Sequence, residues 1–277
     1  MPPGFWEKLK WLDPFFYIDK YVLPPVKSSS EVVQWAVFLF NYILIAVGAF
    51  FLVGGNFFVI AIITVVYLYL FFVERKNAVE WSINLFSAFL FAFILYYFVL
   101  AGILSTSAPL VIVYSGSMEP TLYRGDVVVL SGSKTFDVGQ ADVDFPIGNK
   151  RLSEYAEVGY EKNAKFSLRQ AALKINGQEY RFDPNGPIVV YYSQLRGQDI
   201  IHRAVLKLHA PDGDYLITFG DNNPGIDEDC PEQTTQCISL YPIKTTDVRG
   251  QHVFHIPLLG YAKLLVFDDL PRLLAGK

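Results

Sequence analysis

The sequence predicts a membrane protein in which N-terminal transmembrane α-helices are followed by a mostly β domain. Apolar residues make up 52% of the chain and charged residues only 18%, whereas soluble proteins average about a quarter charged residues. Charged residues are missing from two long stretches, one between Glu31 and Glu74 and one between Glu80 and Glu119. Beyond Glu119 the long apolar runs give way to short alternating segments, which are typical of strands.

Three helices account for the uncharged stretches. The first stretch is too long for one span and is divided by Gly54-Gly55-Asn56 into 32–53 and 57–73, and the second contains 81–104. As helices these segments would be about 33, 26 and 36 Å long, against a hydrocarbon core of about 30 Å. A soluble protein with buried helices is the alternative, but the rest of the chain is too small to cover three of them. The first run follows a polar leader and lacks a clear small-x-small site, so a cleaved signal peptide is not expected.

The distribution of Lys and Arg predicts the orientation of these helices. Residues 1–31 contain four lysines, and Arg75 and Lys76 lie between the second and third helices, whereas the Gly-Gly-Asn turn has no basic residue. We therefore predict a multi-pass protein of the cell membrane. Residues 1–31 would be cytoplasmic, the three helices would lie within 32–113, and residues 114–268 would form an exoplasmic domain.

The exoplasmic domain is predicted to be rich in strands. Asn176-Gly177 indicates a two-residue hairpin turn. Residues 132–165 are polar and aperiodic, so an insertion of about 132–187 is predicted to form a loop or a small subdomain. The apolar run 257–267 is too short to span a membrane. It is predicted to lie on the membrane surface or pack on the sheet, within a membrane-proximal segment of 257–277. The predicted strands are Asp126–Leu130, Ala172–Phe182, Ile188–Tyr192, Asp199–Leu208, Tyr215–Phe219 and Gly250–Ile256.

The composition argues against several functional classes. A formal charge of −4 offers no basic surface to nucleic acid, so no nucleic-acid partner is expected. His252 and His255 would point to opposite faces of a regular strand, and His209 has no evident partner, so no metal or other cofactor is expected. Cys230 and Cys237 lie outside the predicted membrane, where oxidation is permitted. Either a disulfide or two buried free thiols would fit them.

The candidate catalytic residues begin where the predicted third helix ends and the exoplasmic domain starts. The chain there reads Tyr-Ser-Gly-Ser-Met-Glu-Pro-Thr-Leu over 114–122 and Arg-Gly-Asp-Val-Val-Val over 124–129. A serine beside glycine and ahead of a proline-containing turn can display its hydroxyl instead of joining a strand ladder. On its own, such a string is more typical of an ordinary loop.

Four blocks taken together resemble the type I signal peptidases, and they occur in that family's order. The resemblance covers roughly 114–130 and 191–261, and it implies a signal-peptidase-like β-fold. Bacterial members carry a lysine where His202 stands, so the chain is similar to the archaeal and endoplasmic-reticulum branch, which implies a Ser-His-Asp system. The blocks are Ser-Gly-Ser-Met-Glu-Pro-Thr at 115–121, Gly-Asp-Val-Val at 125–128, Ile-Ile-His-Arg-Ala-Val at 200–205, and Gly-Asp-Asn-Asn at 220–223 with Asp227 after it.

The chemical requirements of acyl transfer predict a role for each candidate residue. A serine hydroxyl needs an adjacent base, so Ser117 is the predicted nucleophile and His202 the general base. An aspartate would fix the imidazole tautomer and stabilise the imidazolium. Asp227 is favoured for this role, with Asp221 as an acid that shapes the turn. Asp229 is a third possibility, and the sequence alone does not choose among the three carboxylates.

The remaining site residues follow from the resemblance and the chain order. The Ser117 backbone N–H is the first predicted oxyanion donor. The Ser115 hydroxyl resembles a second donor of bacterial relatives, although a helix-end cap fits it equally well. Arg203 is predicted to be a solvated strand residue or a structural partner of an acid such as Asp221, without a catalytic role. Four apolar residues are either walls of a shallow cleft or ordinary packing: Ile112, Val113, Met118 and Leu122.

The predicted function is removal of signal peptides from exported precursor proteins at the outer membrane face. The resemblance implies small residues one and three positions before the cut. The predicted partners are such precursors and the lipid bilayer, and the two additional helices would bind a translocon, another membrane subunit or lipid. Three alternatives are a soluble Ser-Lys repressor-type peptidase, a non-catalytic subunit with a peptidase-like fold, and a processing peptidase for an envelope or pilin-like precursor. The three spans and His202 argue against the first, and the presence of both Ser117 and His202 argues against the second.

Overall fold

The structure, a computed structural model, divides into two compact units at Val99 and Leu100. The predicted turn at Gly54-Gly55-Asn56 lies outside the described residues, as do the first twelve residues of the predicted cytoplasmic segment. The predicted segment of 257–277 is described up to residue 270 and at 273. The described residues are 13–52, 57–165, 167–230, 237–270 and 273.

The predicted apolar runs are helical. Two stretches are long and apolar enough to cross a membrane, Glu31–Phe50 with a mean hydropathy of 1.9 and Ala78–Leu104 with 2.3, whereas the apolar stretch between them, Ile60–Phe72, is shorter. These helices agree with the predicted class, and the number of crossings stays a prediction. The helices are α1 (Pro14–Tyr17), α2 (Leu23–Lys27), α3 (Glu31–Leu52), α4 (Phe57–Phe72) and α5 (Ala78–Ile94), with π-helical segments at Ile18–Val22 and Leu95–Leu100, the second leading into α6 (Ala101–Leu104).

The helical unit exposes large apolar side chains while it buries a small aromatic core. Phe38 and Tyr67 are buried with their ring centroids 5.1 Å apart. By contrast, Phe72 is 73% exposed and Phe98 is 67% exposed. Helices that are apolar on all sides are buried in a large protein or in a membrane, and this small unit cannot cover its own apolar surface.

The second unit is built around one large, mostly antiparallel sheet. Its strands lie in the order β1-β2-β11-β7-β8-β9-β10, with β3 paired in parallel to β8, while β4, β5 and β6 form a separate three-stranded sheet. The strands are β1 (Leu110–Ile112), β2 (Val127–Ser131), β3 (Gln140–Asp142), β4 (Ala156–Asn163), β5 (Ser167–Ile175), β6 (Gln178–Arg181), β7 (Ile188–Ser193), β8 (Gln198–Ala210), β9 (Gly213–Phe219), β10 (Ile243–Lys244) and β11 (Val248–Ile256).

The predicted insertion of 132–187 is only partly a separate subdomain. Its first part returns to the large sheet, because β3 pairs with β8 and Phe136 is buried in the core. The rest forms the β4-β5-β6 sheet, whose Leu173 and Ile175 pack against the β8 and β9 side chains. The predicted strand Ala172–Phe182 is a hairpin whose first strand begins at Ser167 and turns at Asn176-Gly177. Both turn residues have positive φ, at 51° and 82°, as the Asn-Gly pair requires.

The apolar run after β11 packs on the domain, which is one of the two arrangements the sequence allowed. Gly260 N–H donates to the Gly125 carbonyl at 2.8 Å, and Leu264 of α7 (Tyr261–Leu264) is buried. Arg124 pairs with Asp268 at 3.0 Å and with Asp269 at 2.7 Å. The segment 260–269 is therefore tied to the loop that leads into β2.

Candidate active site

The candidate nucleophile lies in a loop that is fixed on both sides. The loop leaves β1 and enters β2, and its ends are joined by hydrogen bonds of 2.9 Å between the backbones of Val113 and Asp126 and of Gly125 and Val113. Met118 and Leu122 are 1% and 0% exposed and pack with buried residues of β2, β7 and β8. Val113, Met118 and Leu122 are therefore core residues, and Ile112 is half-buried.

The candidate base lies on a central strand, where its surroundings fix the ring. His202 belongs to β8, pairs with Val189 of β7 and is 2% exposed. Its Nε2 lies 3.0 Å from Ser117 Oγ, and its Nδ1 lies 2.5 Å from Asp227 Oδ2. An ionised carboxylate can only accept, so the network assigns the proton to Nδ1 and leaves Nε2 free to accept from the serine.

One aspartate of the three candidates contacts the imidazole. Asp227 lies in the loop after β9. This loop runs back alongside β9 through a β-bridge between Ile226 and Phe219 and a hydrogen bond of 2.9 Å from the Asp227 N–H to the Thr218 carbonyl. Asp227 Oδ2 also accepts from the Tyr191 and Thr218 hydroxyls, both at 2.8 Å. Three donors therefore converge on the oxygen that contacts the ring.

Asp221 and Asp229 make other contacts. The Arg203 guanidinium donates to both Asp221 oxygens, from Nε at 2.8 Å and from Nη2 at 2.7 Å, and Thr121 Oγ1 donates to Asp221 at 2.5 Å. Asp229 accepts from the Gln170 side chain. Because Arg203 follows the imidazole directly on β8, its ion pair with Asp221 fixes the turn after β9 against the strand that carries the base.

Ser115 lies beside the nucleophile in the loop after β1. The helix ends at Leu104, so the interpretation of Ser115 as a helix-end cap is wrong. Its exposed hydroxyl donates to Ser117 Oγ at 3.3 Å, a long hydrogen bond. This position leaves the hydroxyl free to rotate towards a substrate oxygen beside Ser117.

Asn222 contributes to the site without having been singled out from the sequence. Its backbone N–H donates to the Ser117 carbonyl and its Nδ2 to the Gly116 carbonyl, both at 2.8 Å. Lys165 of the insertion donates to its Oδ1. Asn222 therefore joins the loop between β1 and β2 to the turn at 220–223, the acidic turn. Its place in the Gly-Asp-Asn-Asn block was the available signal.

Three polar residues behind the imidazole were also missed. Tyr191, Thr218 and Glu228 are buried around Asp227, and the Glu228 carboxyl accepts from Thr218 N–H at 3.1 Å. Burial, reinforced by the charge of Asp227, raises the pKa of Glu228 well above its usual value. Burial and the two neighbouring carboxyl groups also raise the pKa of Tyr191 well above its usual value, so the Tyr191 hydroxyl remains a donor.

No family model matches the chain, but the chain is similar to curated proteins called signal peptidase complex catalytic subunit SEC11. That of Colletotrichum graminicola is 27% identical over 169 residues, which cover 61% of this chain and 70% of the relative. That of Scheffersomyces stipitis is 27% identical over 61% of this chain and 72% of the relative. That of Schizophyllum commune is 27% identical over 64% of this chain and 74% of the relative. The resemblance to signal peptidases is confirmed at this level.

These relatives correct two parts of the sequence-based interpretation. All three are fungal proteins, so they contradict the archaeal assignment and agree with the eukaryotic half of the predicted branch. Their names place them in a complex and do not support the cell membrane as the location. Two of the described helices are long and apolar enough to cross a membrane, but they do not identify which membrane that is.

The other histidines required two corrections. A register shift in β11 between His252 and Phe254 puts His252 and His255 on the same face, with ring centroids 5.7 Å apart. The expectation of opposite faces was wrong because it assumed a regular strand. His209 does have a partner, since its Nδ1 lies 2.6 Å from Asp214 across β8 and β9. Within the described ranges, no group of three or more His, Cys, Asp or Glu could hold a metal.

A disulfide follows the acidic turn. Cys230 and Cys237 are bonded with their Cα atoms 5.1 Å apart, within the usual range of about 4.4–6.8 Å. Of the two states that the sequence allowed, the structure has the disulfide. Ser239, two residues after it, donates its N–H to the Asp227 carbonyl at 3.0 Å. The chain just after the disulfide is thereby tied to the backbone of the acid that contacts the imidazole.

Proposed function

We propose that the protein is a membrane-bound serine endopeptidase that removes signal peptides from exported precursor proteins. One observation carries this proposal: Ser117 Oγ, the His202 ring and Asp227 Oδ2 form a continuous hydrogen-bonded chain of 3.0 and 2.5 Å. The serine and histidine are far apart in the sequence and lie on different elements. The similarity to signal peptidase catalytic subunits supports a signal peptide as the substrate.

In the proposed mechanism, His202 Nε2 takes the proton of Ser117 as Oγ attacks the carbonyl carbon of the scissile peptide bond. The imidazolium formed is stabilised by Asp227, which also holds the ring in the productive tautomer. His202 then gives the proton to the leaving amine as the peptide C–N bond breaks. Water attacks the acyl-enzyme by the same route, with His202 accepting its proton and returning it to Ser117.

The oxyanion of each tetrahedral intermediate requires donors aimed at it. We assign the Ser117 backbone N–H as one donor and the Ser115 hydroxyl as the other. Ser115 is supported by its position 3.3 Å from the nucleophilic oxygen and by its exposure. A Ser115→Ala variant should lower kcat by about a hundredfold, since removal of one such donor typically costs about a hundred- to a thousandfold.

The proposal places the β-rich domain on the exoplasmic side of a membrane. It is supported by the 27-residue apolar stretch Ala78–Leu104, which directly precedes this domain in the chain. It is also supported by the excess of Lys and Arg in the segments predicted to be cytoplasmic. Because the similar fungal proteins are named as subunits of a complex, we propose that the protein acts with other membrane subunits.

Cleavage of a precursor peptide by the purified full chain in detergent tests the proposed function. The peptide carries Ala-x-Ala before the expected cut. We expect cleavage by the wild type, and no cleavage by Ser117→Ala or His202→Ala. Ser153→Ala and His209→Ala are matched controls at exposed positions and should cleave as the wild type does.

Two outcomes would overturn the proposal. Cleavage that survives Ser117→Ala would exclude this serine as the nucleophile. A folded wild type that cleaves no signal-peptide substrate, alone or with its membrane fraction, would favour a non-catalytic subunit. Cleavage restricted to an envelope or pilin-like precursor would instead narrow the substrate class to that alternative.

A further inference from the structure

Glu228 is a buried acid that the proposed mechanism does not use. It is 2% exposed and directly follows Asp227. Both of its carboxyl oxygens lie 3.1 Å from Thr218 N–H, and its Oε1 lies 2.8 Å from Thr218 Oγ1. A buried acid usually has a cationic partner. Within the described part of the chain, no cation is paired with Glu228.

Counting the protons in this network shows which acid is ionised. Thr218 Oγ1 lies 2.8 Å from Asp227 Oδ2 and 2.8 Å from Glu228 Oε1, but a hydroxyl has one proton and can donate to only one of them. The other contact requires a proton on the acid. Asp227 Oδ2 already accepts from His202 and Tyr191, so Asp227 is the ionised acid and Glu228 holds the proton.

The groups that face Glu228 agree with this assignment. Asp227 on the same loop is negatively charged, and Tyr191 of β7 and Thr218 of β9 present neutral hydroxyls. Burial raises the pKa of Tyr155 of the insertion above the usual value, so this residue is also neutral. Burial and the charge of Asp227 both oppose a second negative charge at this point.

We propose that Glu228 is a positioning residue that stays protonated and donates to Thr218, whose hydroxyl donates in turn to Asp227. This role rests on the proposed function in one respect, since Asp227 matters as the partner of the base. The relay holds Asp227 Oδ2 against the imidazole while adding no charge to it. Glu228 touches neither the substrate nor the reacting atoms, so its effect passes through Asp227.

Infrared spectroscopy tests the protonation state without any need for activity. The carbonyl stretch of a protonated carboxyl is well separated from the carboxylate bands. We expect the Ser117→Ala protein at mildly alkaline pH to show such a band and the Ser117→Ala, Glu228→Gln protein to lack it. Identical spectra in this region would overturn the proposal. Because both proteins are inactive by design, this result is independent of whether the chain cleaves signal peptides.

The pH profile of cleavage tests the positioning role. The contacts that lead from Glu228 through Thr218 and Asp227 to the imidazole are 2.8, 2.8 and 2.5 Å long, so the carboxyl group lies at most about 8 Å from the ring. Removal of a negative charge at that distance would move the acidic limb of activity down by about 1.5 pH units. We expect the Glu228→Gln variant to leave this limb within about 0.3 pH units of the wild type. A larger downward shift would show that Glu228 is charged and would overturn the proposal.

Breaking the relay at either residue should lower kcat. Thr218→Val removes one donor to Asp227 and should lower kcat by about tenfold, as expected for a lost hydrogen bond to a charged group. Glu228→Ala removes the donor that directs the Thr218 hydroxyl towards Asp227 and should lower kcat by a smaller factor. The Gln variant should recover most of the Glu228→Ala loss, because its amide still donates to Thr218. Thr218→Val keeps the size of the side chain and serves if Glu228→Ala does not fold. Full activity in Thr218→Val would refute the relay.

Discussion

Replacement of Gly220 by alanine should displace the imidazole without removing any reacting group. A Cβ at this position would lie 2.9 Å from His202 Nε2 and 2.5 Å from Asn223 Nδ2. The backbone of Gly220 lies outside the left-handed region, so alanine adds no backbone strain. The Asn223 amide can swing away from the new methyl group, but the imidazole is held between Ser117 and Asp227.

The size of the effect follows from these distances. Relief of the 2.9 Å contact to an ordinary carbon contact of about 3.5 Å requires about 0.6 Å of ring movement. The 3.0 Å hydrogen bond to Ser117 would then lengthen to as much as about 3.6 Å, beyond a useful hydrogen bond. Because misplacement by about 1 Å can cost about a hundredfold, we expect kcat/KM to fall by about 10- to 100-fold.

The assay is peptide cleavage combined with thermal unfolding in detergent. Gly139→Ala is the matched control, because its new Cβ would meet its nearest neighbour, Leu206 Cδ1, at an ordinary 3.8 Å. The Gly220→Ala protein should unfold close to the wild-type temperature while cleaving much more slowly. A folded Gly220→Ala protein with wild-type kcat/KM would refute the inferred position of the imidazole.

Three further predictions concern pH and stability. Wild-type cleavage should fall on acidification, since a protonated imidazole cannot accept the serine proton; a flat profile down to about pH 4 would contradict a histidine base. Because the pKa of Glu228 is raised in the folded chain, the unfolded chain binds fewer protons above about pH 4.3, and wild-type stability should fall with rising pH by at most about 1.4 kcal/mol per unit. Glu228→Gln lacks this decline, so the free energy of unfolding of the variant should rise relative to that of the wild type from about pH 5 to about pH 8. A difference between the two proteins that does not change with pH would contradict the protonated state of Glu228. Asp221→Asn weakens a mostly buried ion pair with Arg203 and should lower the free energy of unfolding by about 3 kcal/mol. The control Asp214→Asn, at the exposed pair with His209, should lower it by less than about 1 kcal/mol. Equal losses in the two variants would refute the stronger contribution of the buried pair.

Most of the strands that were predicted from the sequence are buried along most of their length. The predicted Ile188–Tyr192 and Tyr215–Phe219 correspond to β7 and β9 within two residues at each end, because burial imposes an apolar pattern. The missed strands lack that pattern. β4 is only partly buried along its length, and the three-residue β3 is too short to show a period, so neither could be told from a polar loop.

The sequence indicated the residues that react, but not the buried polar residues that hold them in position. Ser117 and His202 stand in blocks whose order carried the resemblance, and the structure brings their side chains together. Tyr191 and Thr218 lie among apolar neighbours on strands, where a hydroxyl resembles an occasional polar residue of a core. Their convergence on Asp227 depends on the register of β7, β8 and β9, which no local pattern specifies.

The insertion takes part in building the site and does not merely cover it. Gln170 of β5 accepts from the Ile226 N–H at 2.7 Å and donates its own N–H to the Pro224 carbonyl at 3.0 Å. Arg169 places its guanidinium 4.3 Å from the Phe219 ring centroid and donates to the Asp221 carbonyl at 3.2 Å. The acidic turn is therefore held by β5 on one side and by Arg203 of β8 on the other. A segment that fixes the residue before Asp227 cannot open as a lid without moving the acid that orients the base, so any movable cover must come from another part of the insertion.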